Sequence, residues 1–145
     1  MGLRRTAREC ALQMLYQRDV GRQEEQEILE SFWRMNAHPV RVREFANRLF
    51  EGCLARLKEL DRLIQSHAEN WRLNRMAAVD RNILRLAAYE LTSADRTPAT
   101  VVINEALEIA KKFSTHESAQ FVNGVLDSIR KDLSSREAEK NGSSH

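Results

Sequence analysis

The sequence predicts an all-α domain, and three observations carry that prediction. Glycine and proline number only five and two, so chain reversals are few. Strong helix formers crowd almost every segment, which leaves strands little to form from. Apolar residues recur at spacings of three and four, the period of a helix with one buried side. A chain of 145 residues with 42% hydrophobic side chains can bury one core without disulfide or metal staples, so a single domain over residues 1–133 is expected.

The first stripe, Ala7, Cys10, Ala11 and Met14, predicts a helix from about Arg4 to Arg18, with Gly21 as its stop. After a polar stretch, Ile28, Leu29, Phe32 and Trp33 form a short second pattern, interrupted at Asn36 to His38. Pro39 suits the first turn of a third helix, where its missing N–H costs nothing. From there Val42, Phe45, Ala46, Leu49, Cys53, Leu57, Leu60 and Ile64 keep helical spacing, as one long helix or two with a bend. Gly52 weakens the middle of that run by about 1 kcal/mol relative to alanine.

Asn74 is placed to cap the next helix, whose buried side is Met76, Val79, Ile83, Leu86, Ala87 and Leu91. Thr92 to Pro98 reads as a loop. Val102, Ile103, Ala106, Leu107, Ala110 and Phe113 mark a further helix, with Lys111 and Lys112 where the negative end of the dipole favours cations. Ser114 and Glu117 have capping-box spacing at the start of the last helix. That helix buries Phe121, Val122, Val125, Ile129 and Leu133, and Gly124 inside it suggests a close neighbour. Residues 134–145 carry no stripe and are expected to form a disordered polar tail.

Composition excludes several functions. Twenty-three basic against 21 acidic residues leave a net charge of +2, so nucleic-acid binding has to be argued from where the charges lie. Cys10 and Cys53 stand alone among apolar residues, as buried reduced thiols of a cytoplasmic protein would. No segment reaches the roughly 18 apolar residues of a membrane span, and no signal-length apolar stretch follows the N-terminus. The glycines are dispersed, which rules out a P-loop or dinucleotide fingerprint. His38, His67, His116 and His145 lack ligand spacing. Neither cofactor nor metal is expected, and with no clustered nucleophile, base and oxyanion donor, no enzyme.

Two carboxylates fall on the apolar side of one helix, Asp80 and Glu90. Ten residues of helix separate them by about 15 Å, too far to share one reaction centre. Each therefore ties its helix to a neighbour's arginine or N–H groups, and for Asp80 a role at a partner surface stays open.

Wheel angles place Arg5, Arg8, Leu12 and Tyr16 on the side of the first helix opposite its apolar stripe, with Arg4 at the margin. Guanidinium forks bind phosphates and an exposed phenol stacks on an unpaired base, so this side suits single-stranded RNA. The alternative is a solvated basic helix start with Tyr16 in the core. Arginines in the first turns oppose the helix dipole unless an anion is present.

The segments RRTARECALQMLYQ, VDRNILRLAAYEL, VINEALEIAKKFS and FVNGVLD resemble, in order and spacing, those of the NusB family, and with the helices between them they span Arg4 to Leu133. That resemblance implies a compact bundle of about seven helices in two helical subdomains. It also implies binding of boxA RNA in ribosomal-RNA leader transcripts, as a heterodimer with NusE, a small-subunit ribosomal protein. The implied role is that of an adaptor in the antitermination complex, with other Nus factors and RNA polymerase. Carried over by motif, Arg4, Arg5 and Arg8 become the RNA-contacting end and Tyr16 its aromatic neighbour. Phe121, a core residue by periodicity alone, becomes a second stacking residue, with Gln120 and Asn123 as polar readers. Asp80 is placed at the RNA and NusE surface, with Arg81 and Glu117 beside it.

A similar fold fronts certain ribosomal-RNA cytosine methyltransferases, but a chain ending at His145 leaves no room for their cofactor domain. The competing reading of another class is a helical protein adaptor or homodimer whose basic end binds no specific RNA.

Overall fold

The computed structural model describes residues 2–93 and 97–142, the last two in backbone alone. Seven α-helices and one 3-10 turn make up the described chain: α1 (Leu3–Gly21), α2 (Glu25–Met35), α3 (Val40–Ala55), α4 (Leu57–Ser66), the turn Leu73–Arg75, α5 (Ala78–Thr92), α6 (Ala99–Phe113) and α7 (His116–Gly142). Among the described residues there is no strand, in agreement with the all-α prediction.

The boundaries have local causes. α1 ends where Arg22 turns left-handed at φ 55°, one residue beyond the expected Gly21. Pro39 and Pro98 stand immediately before α3 and α6, where no helical N–H is lost. The long apolar run after Pro39 divides at Arg56, whose backbone leaves the helical region and separates α3 from α4.

α5 is the hub. It packs against α1, α3, α4, α6 and α7, and Ile83, Leu84, Leu86, Ala87 and Ala88 are all buried. The helices group as α1–α3 and α4–α7, sharing one apolar core that runs from Ala7 to Ile129. Tyr89 of α5 lays its ring against Gly52 of α3, where a built Cβ would lie 2.3 Å from it. The glycine that costs α3 helix propensity is what leaves room for that ring. Cys10 and Cys53 are both free and buried, and burial pushes the Cys10 thiol up to about 11.

Several local expectations need correction. Asn74 lies in the 3-10 turn and does not cap α5, which starts four residues later after Ala77. The cap of α7 is Thr115, whose hydroxyl accepts from Ser118 N–H at 3.0 Å, because Ser114 donates its hydroxyl to Asp80 instead. Leu12 is buried, since α1 is covered by α2, α3 and α5 on more than one side. Among the described residues, no atom outside Gly124's own stretch of helix lies within 4 Å of a Cβ built there, because that strip of α7 faces outward. The polar segment after Leu133 continues α7 to Gly142, where a disordered tail is expected. Good helix formers and the Arg136–Asp132 pair at 3.2 Å, one turn apart, account for it. Residues 143–145 of that expected tail lie outside the described residues.

Candidate nucleic-acid interface

α1 and α5 run antiparallel, with Arg8 meeting Glu90 at one end and Asp19 meeting Arg81 at the other. The expected site residues divide between these two ends. About 15 Å of α5 separates Glu90 from Asp80, so the arginines and Phe121 do not form one compact site.

At the Glu90 end the three N-terminal arginines have three different fates. Arg8 is buried and gives Glu90 two hydrogen bonds, Nε to Oε2 at 2.9 Å and Nη2 to Oε1 at 2.8 Å, with a third to Glu105 at 3.3 Å. This corrects its placement on the outer side of α1. Glu90, in turn, ties α5 to an arginine, the structural role its position on the apolar side suggests. Arg5 is part-buried, its Nε 2.9 Å from Glu105 and its Nη2 bonded to the same oxygen. Arg4 alone is exposed, its guanidinium 5.1 Å from the centre of the Phe45 ring. Tyr16 is 41% exposed, so its ring is accessible and is not a core residue.

At the Asp80 end the loop before α5 and the first turns of α7 enclose a groove of about 310 Å³. Phe121 lines one wall and Trp71, 56% exposed, stands against it edge to face with ring centroids 6.1 Å apart. Met76 and Ala77 form an apolar floor, and Arg75, Asp80 and Glu117 supply charge. Asp80 sits in the first turn of α5, where the dipole favours an acid, and accepts from Ser114 Oγ at 2.9 Å. An apolar slot with two aromatic rings and a few charges suits a flat unpaired base. Gln120 and Asn123 are exposed on the adjoining strip of α7, with Gln120 Nε2 3.4 Å from His116 Nε2.

Arg81 points elsewhere. Its Nε donates to Asp19 at 2.8 Å and its Nη1 to the Leu73 and Met76 carbonyls, within a separate hollow also lined by Asp61 and Arg85. Adjacent helix residues lie about 100° apart, so Asp80 and Arg81 cannot share one face. Burial raises the Asp19 carboxyl, but hydrogen bonds from Arg81 and Asn82 and the charge of Arg85 outweigh it and hold the group below its ordinary value.

Trp71 and Arg75 were not among the residues singled out for binding. An isolated tryptophan outside any stripe, followed by two arginines within four residues, is the signal that could have found them.

The profile of the NusB family matches residues 5–131. The chain belongs to the NusB family. It is 50% identical to the transcription antitermination protein NusB of Koribacter versatilis over 96% of each chain. It is 48% identical to that of Elusimicrobium minutum, over 91% of this chain and 96% of its relative. Among solved NusB structures, that of T. maritima superposes with a TM-score of 0.81 at 40% identity, covering 88% of this chain and 90% of that one. A chain from the structure of antitermination factors NusB and NusE in complex with double-stranded RNA gives a TM-score of 0.83 at 28% identity, covering 91% and 98%. The fold is thus that of solved NusB structures. Among the described residues no group of three or more His, Cys, Asp or Glu is placed to hold a metal ion, and no helix is long and apolar enough to cross a membrane.

Proposed function

We propose that this protein is a non-catalytic, cytoplasmic RNA-binding adaptor of transcription antitermination that engages boxA leader RNA together with NusE. The observation that carries the reading is the likeness, over nearly the whole chain, to the fold solved with NusE and RNA. The geometry supports it at two places: exposed Arg4 and Tyr16 on α1, and the Trp71–Phe121 groove, with Gln120 and Asn123 beside it as readers of base edges. Arg5, partly exposed, keeps Glu105 on its Nε and Nη2 and has its Nη1 left to offer RNA, and Arg8 holds the arginine end in place from inside. Asp80 and Glu117 line the groove where NusE and RNA would meet, while Arg81 acts from the adjoining side of α5 by fixing the loop that carries Trp71. Other Nus factors and RNA polymerase are reached through the assembled complex.

The test is binding of fluorescent single-stranded boxA RNA, a scrambled strand and a duplex of equal length, each with and without NusE. Sequence-selective single-strand binding that strengthens with NusE is the expected result. Equal weak binding to all three RNAs, unchanged by NusE, would overturn the proposal and leave the protein-adaptor or homodimer reading.

A further inference from the structure

The cleft between the start of α1 and α3 carries two arginines, Arg41 and Arg48, that the proposed function leaves unused. A hollow of about 350 Å³ is lined by Leu3, Arg4, Arg41, Glu44, Phe45 and Arg48. Arg4 and Arg48 each place a guanidinium 5.1 Å from the centre of the Phe45 ring, and Arg8 closes on the same ring at 5.6 Å from inside. Arg8 is neutralised by Glu90 and Glu105. Arg4, Arg41 and Arg48 are exposed, and no carboxylate of the described residues lies within ion-pair distance of any of them. Three open arginines against the single Glu44 make the hollow electropositive.

Like charges gathered this closely repel. Two guanidiniums each 5.1 Å from one centroid are at most about 10 Å apart, no more than a Debye length at 0.1 M salt. Stacking on Phe45 holds them nevertheless and leaves their N–H edges free for an anion. Arg5 and Arg8 are occupied by Glu105 and Glu90, so the open charge of Arg4 belongs with α3 and not with the rest of its own helix.

We infer that the α1–α3 cleft is a phosphate-binding track for the RNA strand, in which Arg41 and Arg48 of α3 act with Arg4 on consecutive backbone phosphates. This rests on the RNA-binding reading and moves the electrostatic platform from the outer face of α1 into the cleft.

BoxA RNA affinity is measured at several salt concentrations, with NusE present, for the full chain, for the Arg41→Gln/Arg48→Gln double variant and for Arg62→Gln, an exposed arginine on α4 outside the cleft. Each single-strand phosphate contact contributes about 0.7 to the slope of log affinity against log salt. The double variant is expected to flatten the slope by about 1.4 and to lose roughly tenfold or more in affinity at low salt, with an unchanged melting temperature, while Arg62→Gln does neither. Glu44→Gln removes the cleft's one negative charge and is expected to tighten RNA binding severalfold, a gain that misfolding cannot produce. A wild-type slope in the double variant, or no tightening in Glu44→Gln, overturns the track while RNA binding stands. Absence of RNA binding by the wild-type protein overturns the RNA reading itself.

Discussion

Arg8 and Glu90 meet side by side inside the core, fork to carboxylate, at 2.9 and 2.8 Å, with each residue less than 5% exposed. The pair joins the first helix to the end of the central one, and it takes out of solvent an arginine that α1's periodicity places outside.

Removing one partner strands a buried charge. Arg8→Ala or Glu90→Ala is expected to cost about 3–5 kcal/mol in urea unfolding. Replacing both together, as Arg8→Met/Glu90→Leu, should recover most of that loss, because two apolar side chains leave no charge unpaired. A double variant as unstable as either single one would count against this account.

Gly52→Ala tests the seat of the Tyr89 ring on α3. Helix propensity alone predicts a gain of about 1 kcal/mol, whereas the Cβ would stand 2.3 Å from the Tyr89 ring. Overpacking of that kind costs about 1–3 kcal/mol, so net destabilisation is expected in thermal melts. Tyr89→Leu in the same chain should relieve it.

Asp19 makes the fold sensitive to acid in one direction. Its folded-state value lies below the ordinary 3.8, so its contribution is complete above that value and is lost as pH falls through the folded one. Asp19→Asn should therefore be less stable than the wild type by about 1.5–3 kcal/mol at neutral pH, the range for hydrogen bonds to charged groups. The gap should close as pH falls below about 4. A gap that widens in acid would contradict the sign.

Trp71 should report the RNA directly. With Trp33→Phe as background, Trp71 is the single tryptophan, and under tryptophan-selective excitation boxA RNA is expected to quench it if a base enters the groove. Phe121→Ala or Trp71→Ala should each weaken binding by about 1–3 kcal/mol, the range for one stacked base, and leave the salt slope unchanged. Full quenching in Phe121→Ala would show that the two rings do not share a base.

How much was legible before folding varies by residue. The stripes of α1, α3, α5, α6 and α7 were readable because a helix with one buried side writes its period into the chain. The short polar connections at Gly21, Pro39 and Pro98 were readable because glycine is a poor helix former and proline fixes its own φ and lacks an N–H. A wheel drawn for one helix assumes a single buried side, so it failed for α1, which is covered by α2, α3 and α5. Leu12 and Arg8 are buried for that reason, while Tyr16 stays 41% exposed.

The sequence by itself determined an all-helical NusB-family domain, its helix order, and a central helix whose two inward carboxylates needed partners. Only the tertiary structure decided which partners those are: Arg8, 82 residues from Glu90, and Ser114, 34 residues from Asp80. It alone set Trp71 against Phe121 and Arg4 beside Arg48. Helical period is a property of neighbours three and four apart and survives in any window of chain. The meeting of distant side chains depends on how whole helices cross, which no local spacing records.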